Sequence, residues 1–428
     1  MRVALPCRTR CGDLGDDSTV RGLGDERCCP DPRRPMWQGV GMRVAVVAGP
    51  DPGHAFPAIA LCLRLRTAGD EPVLFTGPRW FEAAEGAGIE VRRLKGLAPR
   101  AGDDDADAGL RIHDRAAHIS TEILPDLREW GPDLVVSDVL TVGGGMAAER
   151  LGVAWVELSP HPLYLPSKGL PPIGSGLAPG VGWRGRARDA FLRRMTARAI
   201  ALGDRQRAAA RVSVGLPEED PGPAARLIAT LPALEMPRPD WPAEARLIGP
   251  LLFEPTEAVL PLPPGDEPLV MVAPSTAATG VASMAETVLT ALDGAGVRVV
   301  VSMLDTPPAT IPPWATAGLG RQDELLRHAD VVVGGGGHGL LAKTLSAGVP
   351  IVTVPGGGDQ WELANRAARQ GGSILVRPFD GAAVRDAVQR ILGDPAYRRA
   401  AVAAAATAAE VDDPVELCHR AVETVRAR

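Results

Sequence analysis

Four short stretches carry side chains whose types and spacing could do chemistry. The segment "AGPDPGHAFPAIAL" (48–61) sets His54 just past an apolar run and just before a helix-like stretch. Imidazole titrates near neutral pH, so this residue could take a proton from an attacking group, or it could merely cap or pack the adjoining helix. The segment "PDLVVSDVL" (132–140) ends another apolar run at Asp138, while Asp133 lies at the run's opposite end. Two glycine clusters complete the set: Gly334 to Gly337 followed by His338 and Gly339, and Gly356 to Gly358 followed by Asp359 and Gln360. Glycine is costly inside regular structure, so clusters mark turns or close approaches of backbone to something else.

Three ligand chemistries fit those glycines. The spacing Gly334, Gly336, Gly339 satisfies a dinucleotide fingerprint with Asp359 about 20 residues on, but a run of four glycines matches many patterns and Asp359 lies beyond the strand it should end. No G-x-x-x-x-G-K-[ST] is present, which removes a P-loop. A nucleotide sugar would place its diphosphate at the first cluster and its hydroxyls at Asp359 and Gln360, which can accept and donate hydrogen bonds. A tight turn packing helix on sheet is the fourth reading, less suited to two clusters at neighbouring strand ends.

The positioning elements are strands and helices in alternation. Apolar runs at 43–48, 72–75, 133–137 and 153–158 alternate with helical stretches at 55–68 and 141–151. The Pro-rich passage 249–268 interrupts the pattern, which restarts with strands at 269–273, 297–303, 330–333 and 350–354 and helices at 281–293 and 338–347. Such alternation predicts βαβ units and parallel sheets. The expectation is an α/β protein with an extension at 1–41, a first domain at 42–248, a linker at 249–268 and a second domain at 269–428. Ligands of open parallel sheets bind outside the carboxyl ends of strands, and all four stretches fall there.

The stretch "GGGGHGLLAKTLSAGVPIVTVPGGGDQ" (334–360) resembles the donor signature of the GT-B glycosyltransferases that include plant secondary-metabolite and bacterial antibiotic-type enzymes. The likeness is carried by "TLSAGVP", "VP" and "DQ", extends over most of 42–428, and is nearest to mycobacterial proteins described as alanine-rich transferases. It implies two Rossmann-like domains facing a cleft and transfer of a hexose from a UDP- or dTDP-linked sugar, with no cofactor and no metal. It implies that Asp359 and Gln360 hold the sugar, that Gly337, His338, Gly339 and Leu340 surround the diphosphate with Gly336 also at the donor, and that Ser275 and Thr276 contact phosphate. "GLGRQDELLRHAD" (318–330) aligns Gln322 with a family glutamine. The pattern departs at Gly335, Leu340 and Lys343, where the family has a phosphate-binding His, a Thr or Ser, and a ribose-binding acid. His338 could stand in for the first, and Lys343 could pair with phosphate. "GHAFP" matches the family's G-H-x-x-P, making His54 the general base, with Asp138 at the position of its orienting acid.

Further features bound the function. The 428 residues are 45% apolar with a net charge of −6, enough for two cores and without the basic excess of a nucleic-acid binder. No apolar run reaches the length of a membrane span. Residues 1–41 lack periodicity and carry Cys7, Cys11, Cys28 and Cys29 without a histidine, and a second "MRVA" begins at Met42; the stretch reads as a disordered extension or a misplaced start. Isolated Cys62 and Cys418 suit a cytoplasmic protein. In the loop 159–182, His161, Tyr164 and Leu165 are candidates to line an acceptor pocket. Residues 184–211 hold nine arginines and two aspartates on a predicted helix that could meet anionic lipid or solvent. The expected activity is inverting transfer to a small apolar or lipid-like acceptor. Two rivals stand beside it: an epimerase or hydrolase on the same fold, which would turn over without an acceptor, and a binding protein that has lost catalysis.

Overall fold

A computed structural model describes residues 41–98, 108–276, 280–304 and 306–427. The expectation for the N-terminal extension, with its four cysteines, falls on residues 1–40 and lies outside the described residues.

Two parallel sheets are built from short apolar strands. The first contains β1 (Arg43–Val47), β2 (Glu71–Thr76), β3 (Glu90–Arg93), β4 (Leu134–Asp138), β5 (Ala154–Ser159), β6 (Ala225–Ile228) and β7 (Ala245–Leu247), in the order β3-β2-β1-β4-β5-β6-β7. The connecting helices are α1 (Pro52–Thr67), α2 (Phe81–Gly86), α3 (Ala108–Trp130), α4 (Gly143–Leu151) and α5 (Gly182–Ser213). The second sheet contains β8 (Leu269–Ala273), β9 (Arg298–Ser302), β10 (Ala315–Gly318), β11 (Val331–Gly334), β12 (Ile351–Thr353) and β13 (Ser373–Leu375), in the order β10-β9-β8-β11-β12-β13. Its helices are α6 (Met284–Leu292), α7 (Gln322–Leu326), α8 (His338–Ser346), α9 (Gln360–Gln370), α10 (Gly381–Gly393) and α11 (Pro395–Ala406), and α12 (Pro414–Arg426) closes the described chain.

The central strands read as continuous Val, Leu, Ala and Met because helices cover both faces of a parallel sheet. Val44 to Val47, Leu269 to Val272 and Val331 to Val333 are all buried. A fully buried Val or Leu contributes about 1.5–3 kcal/mol, so these central strands anchor each half. In each sheet the strand order reverses at one place, between β1 and β4 in the first and between β8 and β11 in the second. At such a switch point two neighbouring loops leave in opposite directions and open a crevice at the carboxyl ends. The register pairs Val47 with Ser137 and Gly334 with Ala273, so the chains following these strands start side by side.

Two features depart from the boundaries expected from sequence. Helix α12 leaves the second half and packs against β5, β6 and α1. His419 Nε2 lies 2.9 Å from Asp70 Oδ2, and the Arg426 guanidinium donates to Asp133 Oδ1 at 2.6 Å. Its apolar side, Leu417, Ala421 and Val422, is buried. The span 269–428 is therefore not one unit, because its last helix belongs to the first sheet. The proline-rich stretch 249–268 has no regular structure, as expected, yet it is packed rather than free: the Phe253 ring meets Phe56 at 5.7 Å, and Leu260 and Leu262 lie on the second core.

Candidate active site

The switch point of the first sheet holds a histidine and a carboxylate in contact. Pro52 fixes the first turn of α1, which brings His54 to its third position, and the His54 amide bonds the Asp51 carbonyl at 2.9 Å. Asp138 ends β4. Its Oδ1 accepts from the Leu140 amide at 2.9 Å, and its Oδ2 lies 2.8 Å from His54 Nδ1. Thr141 Oγ1 donates to the Val47 carbonyl at 2.8 Å and so ties the end of β4 to the end of β1. The Asp138 side chain is fully buried and that of His54 is 15% exposed. Burial disfavours the imidazolium, but the Asp138 charge and hydrogen bond outweigh it, with smaller help from Asp51 and Asp359, so the His54 pKa is raised. With a proton on Nδ1 shared with the carboxylate, Nε2 carries the free lone pair.

A line of side chains leads from this dyad across to the second sheet. The His161 ring stands edge-on to His54 at 6.5 Å and stacks on Tyr164 at 4.2 Å, and Tyr164 Oη donates to Asp359 Oδ2 at 3.2 Å. His161 Nδ1 lies 2.8 Å from the Pro162 carbonyl; burial, and then the charge of His54, lower its pKa. Leu165, expected beside them, packs on the cluster of Leu163, Ile228 and Ala245, and its backbone carbonyl accepts from Arg238 at 2.7 Å.

The second switch point is more crowded than its sequence suggests. A Cβ at Gly334 would lie 2.2 Å from Leu340 Cδ2, and one at Gly335 would lie 2.7 Å from Ser275 Cβ. What approaches these two glycines is the protein itself: the side chain of Leu340 folds back over Gly334. Gly336 is needed for a different reason, its φ of +77°. Gly337 caps α8, and a Cβ at Gly337 or Gly339 would meet open space. The first turn of α8 is thus uncrowded at Gly337 and Gly339, and its amides could seat an anion.

Several side chains expected to touch ligand are engaged elsewhere. His338 Nε2 lies 2.8 Å from Thr230 Oγ1 of the first half, and the ring is also bonded to the Pro160 backbone. Burial, reinforced by the His161 charge, drives its pKa down to about 3, so it carries no positive charge to offer a phosphate. Lys343 Nζ reaches Glu254 Oε1 at 2.6 Å and Gln322 Oε1 at 3.1 Å, both ends of the ion pair being 11% exposed. Its charge is thereby matched by Glu254 rather than free for phosphate. Gln360 is buried: Oε1 accepts from the Gly356 amide at 2.9 Å and Nε2 donates to Ser275 Oγ at 3.0 Å. The amide thus braces two loops. Asp359 and Thr276 are exposed.

Several participants carry no signal in the sequence. Glu254 comes from the linker and also accepts from the Gln322 and Asp323 amides at 3.1 and 3.3 Å. Thr230 follows β6, a strand too short to show a pattern. Glu362 and Arg366 on α9 form a buried group with Glu235 from the first half, at 3.0 and 3.2 Å from Arg366. Gly176 donates its amide to Glu362 at 2.8 Å and accepts from Arg369 at 2.8 Å, which docks the loop 160–181 on α9. The only advance signal for the loop was its proline and glycine content; the charge of α9 showed no partner.

Comparison with known proteins fits this geometry. Residues 316–424 match the family described as erythromycin biosynthesis protein CIII-like, C-terminal domain. Over 404 residues the chain is 28% identical to 4'-demethylrebeccamycin synthase of Lentzea aerocolonigenes, covering 84% of this chain and 94% of the relative. A crystal structure of the kitacinnamycin glycotransferase superposes with a TM-score of 0.69 at 21% identity, covering 90% of this chain and 99% of the other. That of the glycosyltransferase VinC in complex with dTDP gives 0.64 at 19% identity, covering 90% and 100%. The fold is GT-B.

Proposed function

We propose that the chain is a glycosyltransferase that moves a hexose from a nucleoside-diphosphate sugar, UDP- or dTDP-linked, to a hydroxyl of a small apolar acceptor. The observation that carries this reading is the His54–Asp138 pair, 2.8 Å apart at the switch point of one sheet, connected through His161 and Tyr164 to Asp359 at the other. The likeness to the synthase and to two glycosyltransferase structures supports the class of reaction.

In the proposed step the acceptor hydroxyl gives its proton to His54 Nε2 as its oxygen bonds to the anomeric carbon. The bond from that carbon to the diphosphate oxygen breaks, and its electron pair leaves with the nucleoside diphosphate. Attack opposite the leaving group inverts the anomeric centre. Asp138 keeps the proton on Nδ1 and stabilises the imidazolium that forms. The first-turn amides of α8 face the developing diphosphate charge, an electrostatic contribution needing no side-chain cation from His338 or Lys343. Asp359 offers carboxylate oxygens to the sugar hydroxyls, Oδ2 in competition with Tyr164.

The test is turnover of UDP- and dTDP-glucose with a panel of phenols and polycyclic aglycones. Wild type should form glycoside. His54→Ala should transfer roughly 10²–10⁴-fold more slowly, because proton transfer is lost, with donor binding in a thermal-shift titration retained. Full activity in His54→Ala removes the reading. Glucose release or epimer formation without an acceptor favours the hydrolase or epimerase. A nucleotide-binding protein without transfer has one specific observation in its favour, the matching of Lys343 by Glu254; it would shift on nucleotide addition yet yield no product.

A further inference from the structure

Helix α5 stands out for what it leaves uncovered. Its 32 residues span about 48 Å at 1.5 Å per residue, and only Asp189, Ala210 and Arg211 are buried. Trp183 is 71% exposed, Phe191 63% and Met195 66%, with Leu202 also exposed. Soluble surfaces scatter single apolar residues, but these are not scattered. At 100° per residue, Phe191, Met195 and Leu202 fall within about 40° of one another, and Trp183 lies at the edge of the same face.

The arginines of that face are equally ordered. Arg184, Arg194, Arg198 and Arg205 are exposed and share the half-cylinder of Phe191, whereas Asp189 and Asp204 lie on the opposite side. Arg184 stacks on Trp183 at 5.2 Å. The arginines facing inward are engaged: Arg211 with Glu149 at 2.8 Å, Arg207 with Asp220, and Arg193 with the Leu170 carbonyl at 2.7 Å. A chain of net charge −6 therefore presents, on α5, a face of apolar and cationic side chains to which the helix itself contributes no carboxylate.

We propose that this face of α5 binds the surface of an anionic lipid bilayer. Arginine stems can lie along acyl chains while their guanidinium groups meet phosphate, and Trp, Phe and Met supply the shallow insertion. The face is that of one long helix, which a deformable bilayer accommodates without a complementary groove. The position suits the site as well: α5 follows the loop carrying His161 and Tyr164, and Arg193 holds that loop at Leu170. A membrane-bound α5 would keep that loop on its inner side, about one helix diameter from the lipid. The proposal rests on the face of α5 and stands or falls apart from the transfer reaction.

The test is co-sedimentation of the full chain with vesicles of phosphatidylcholine alone and of phosphatidylcholine mixed equally with phosphatidylglycerol. Binding should be confined to the anionic vesicles and weaken as salt is raised. Arg194→Glu with Arg198→Glu should weaken it on the order of tenfold or more, and Arg194→Gln with Arg198→Gln by less. Phe191→Ser with Met195→Ser should weaken binding while the melting temperature holds. Equal partition onto neutral vesicles, no sedimentation with either, or undiminished binding after charge reversal each overturns the proposal. So does a dimer in light scattering that Phe191→Ser splits in the absence of any vesicle binding, since a second copy would then cover the face.

Discussion

His54 and His338 both sit at switch points, His54 after the first strand of its sheet and His338 after the fourth strand of the other. Each opens a helix just after the carboxyl end of a strand at the point where its sheet changes direction. In both, burial and the positive end of a helix oppose a second proton on the ring. What separates them is the neighbour. Asp138 overcomes burial at His54 and raises its pKa; Thr230 and the Pro160 backbone meet His338 with neutral groups, and it falls to about 3. One ring is held by a carboxylate that raises its pKa. The other is a permanently neutral strut between the halves. Position at a switch point thus admits either role, and the carboxylate decides.

That contrast can be broken from the Asp138 side. Asp138→Asn should remove the charge that raises His54 and disturb its tautomer, slowing transfer about 10- to 100-fold, less than loss of the ring itself. The sign of the pH effect comes from the base needing to be neutral. Wild-type activity should fall as pH drops through a His54 pKa above 6.5, and in Asp138→Asn that acid limb should move to lower pH. A pH–rate profile of both proteins checks it. An unmoved limb would mean that His54 is not the titrating base.

The donor half offers a smaller effect. Asp359→Ala should cost about 1–3 kcal/mol in binding a UDP- or dTDP-sugar and much less in binding the bare nucleoside diphosphate, because only the sugar hydroxyls lose their acceptor. Calorimetric titration with both ligands separates the two, and equal losses would place Asp359 away from the sugar. Smallest for catalysis is Thr230→Val. It should leave the acid limb where it is and lower folding stability by about 1–3 kcal/mol, since a buried imidazole nitrogen loses its partner. A shifted limb would make His338 part of the proton-transfer machinery and erase the distinction between the two rings.

The two halves also differ in how far their sites were legible. His54 and Asp138 are both within two residues of strand or helix ends that apolar runs announce, and their partnership is with each other. The alternation of Val-rich runs likewise gave β1, β4, β8 and β11, the strands that define both switch points. On the donor side the fate of each side chain depends on a residue far away in sequence: Glu254 for Lys343, Thr230 for His338, Tyr164 for Asp359. No local period encodes such contacts. Strands β3, β6, β7, β10 and β13 were missed because three to four residues at a sheet edge or flank do not establish an alternation. The resemblance pointed to the stretch 334–360, yet it could not say that Gln360 would brace Ser275 and Gly356.

The return of α12 to the first sheet has a consequence for how the protein is made. β6 leaves the ribosome long before residues 414–426 do, and at 5–20 residues per second the interval is roughly ten to forty seconds. For that time the flank formed by β5, β6 and α1 lacks the helix whose Leu417, Ala421 and Val422 will cover it. The first half of the molecule, although begun first, is finished last. Its apolar flank is thus a transient surface that a chaperone could hold, and one that any release of α12 from the mature protein would expose again.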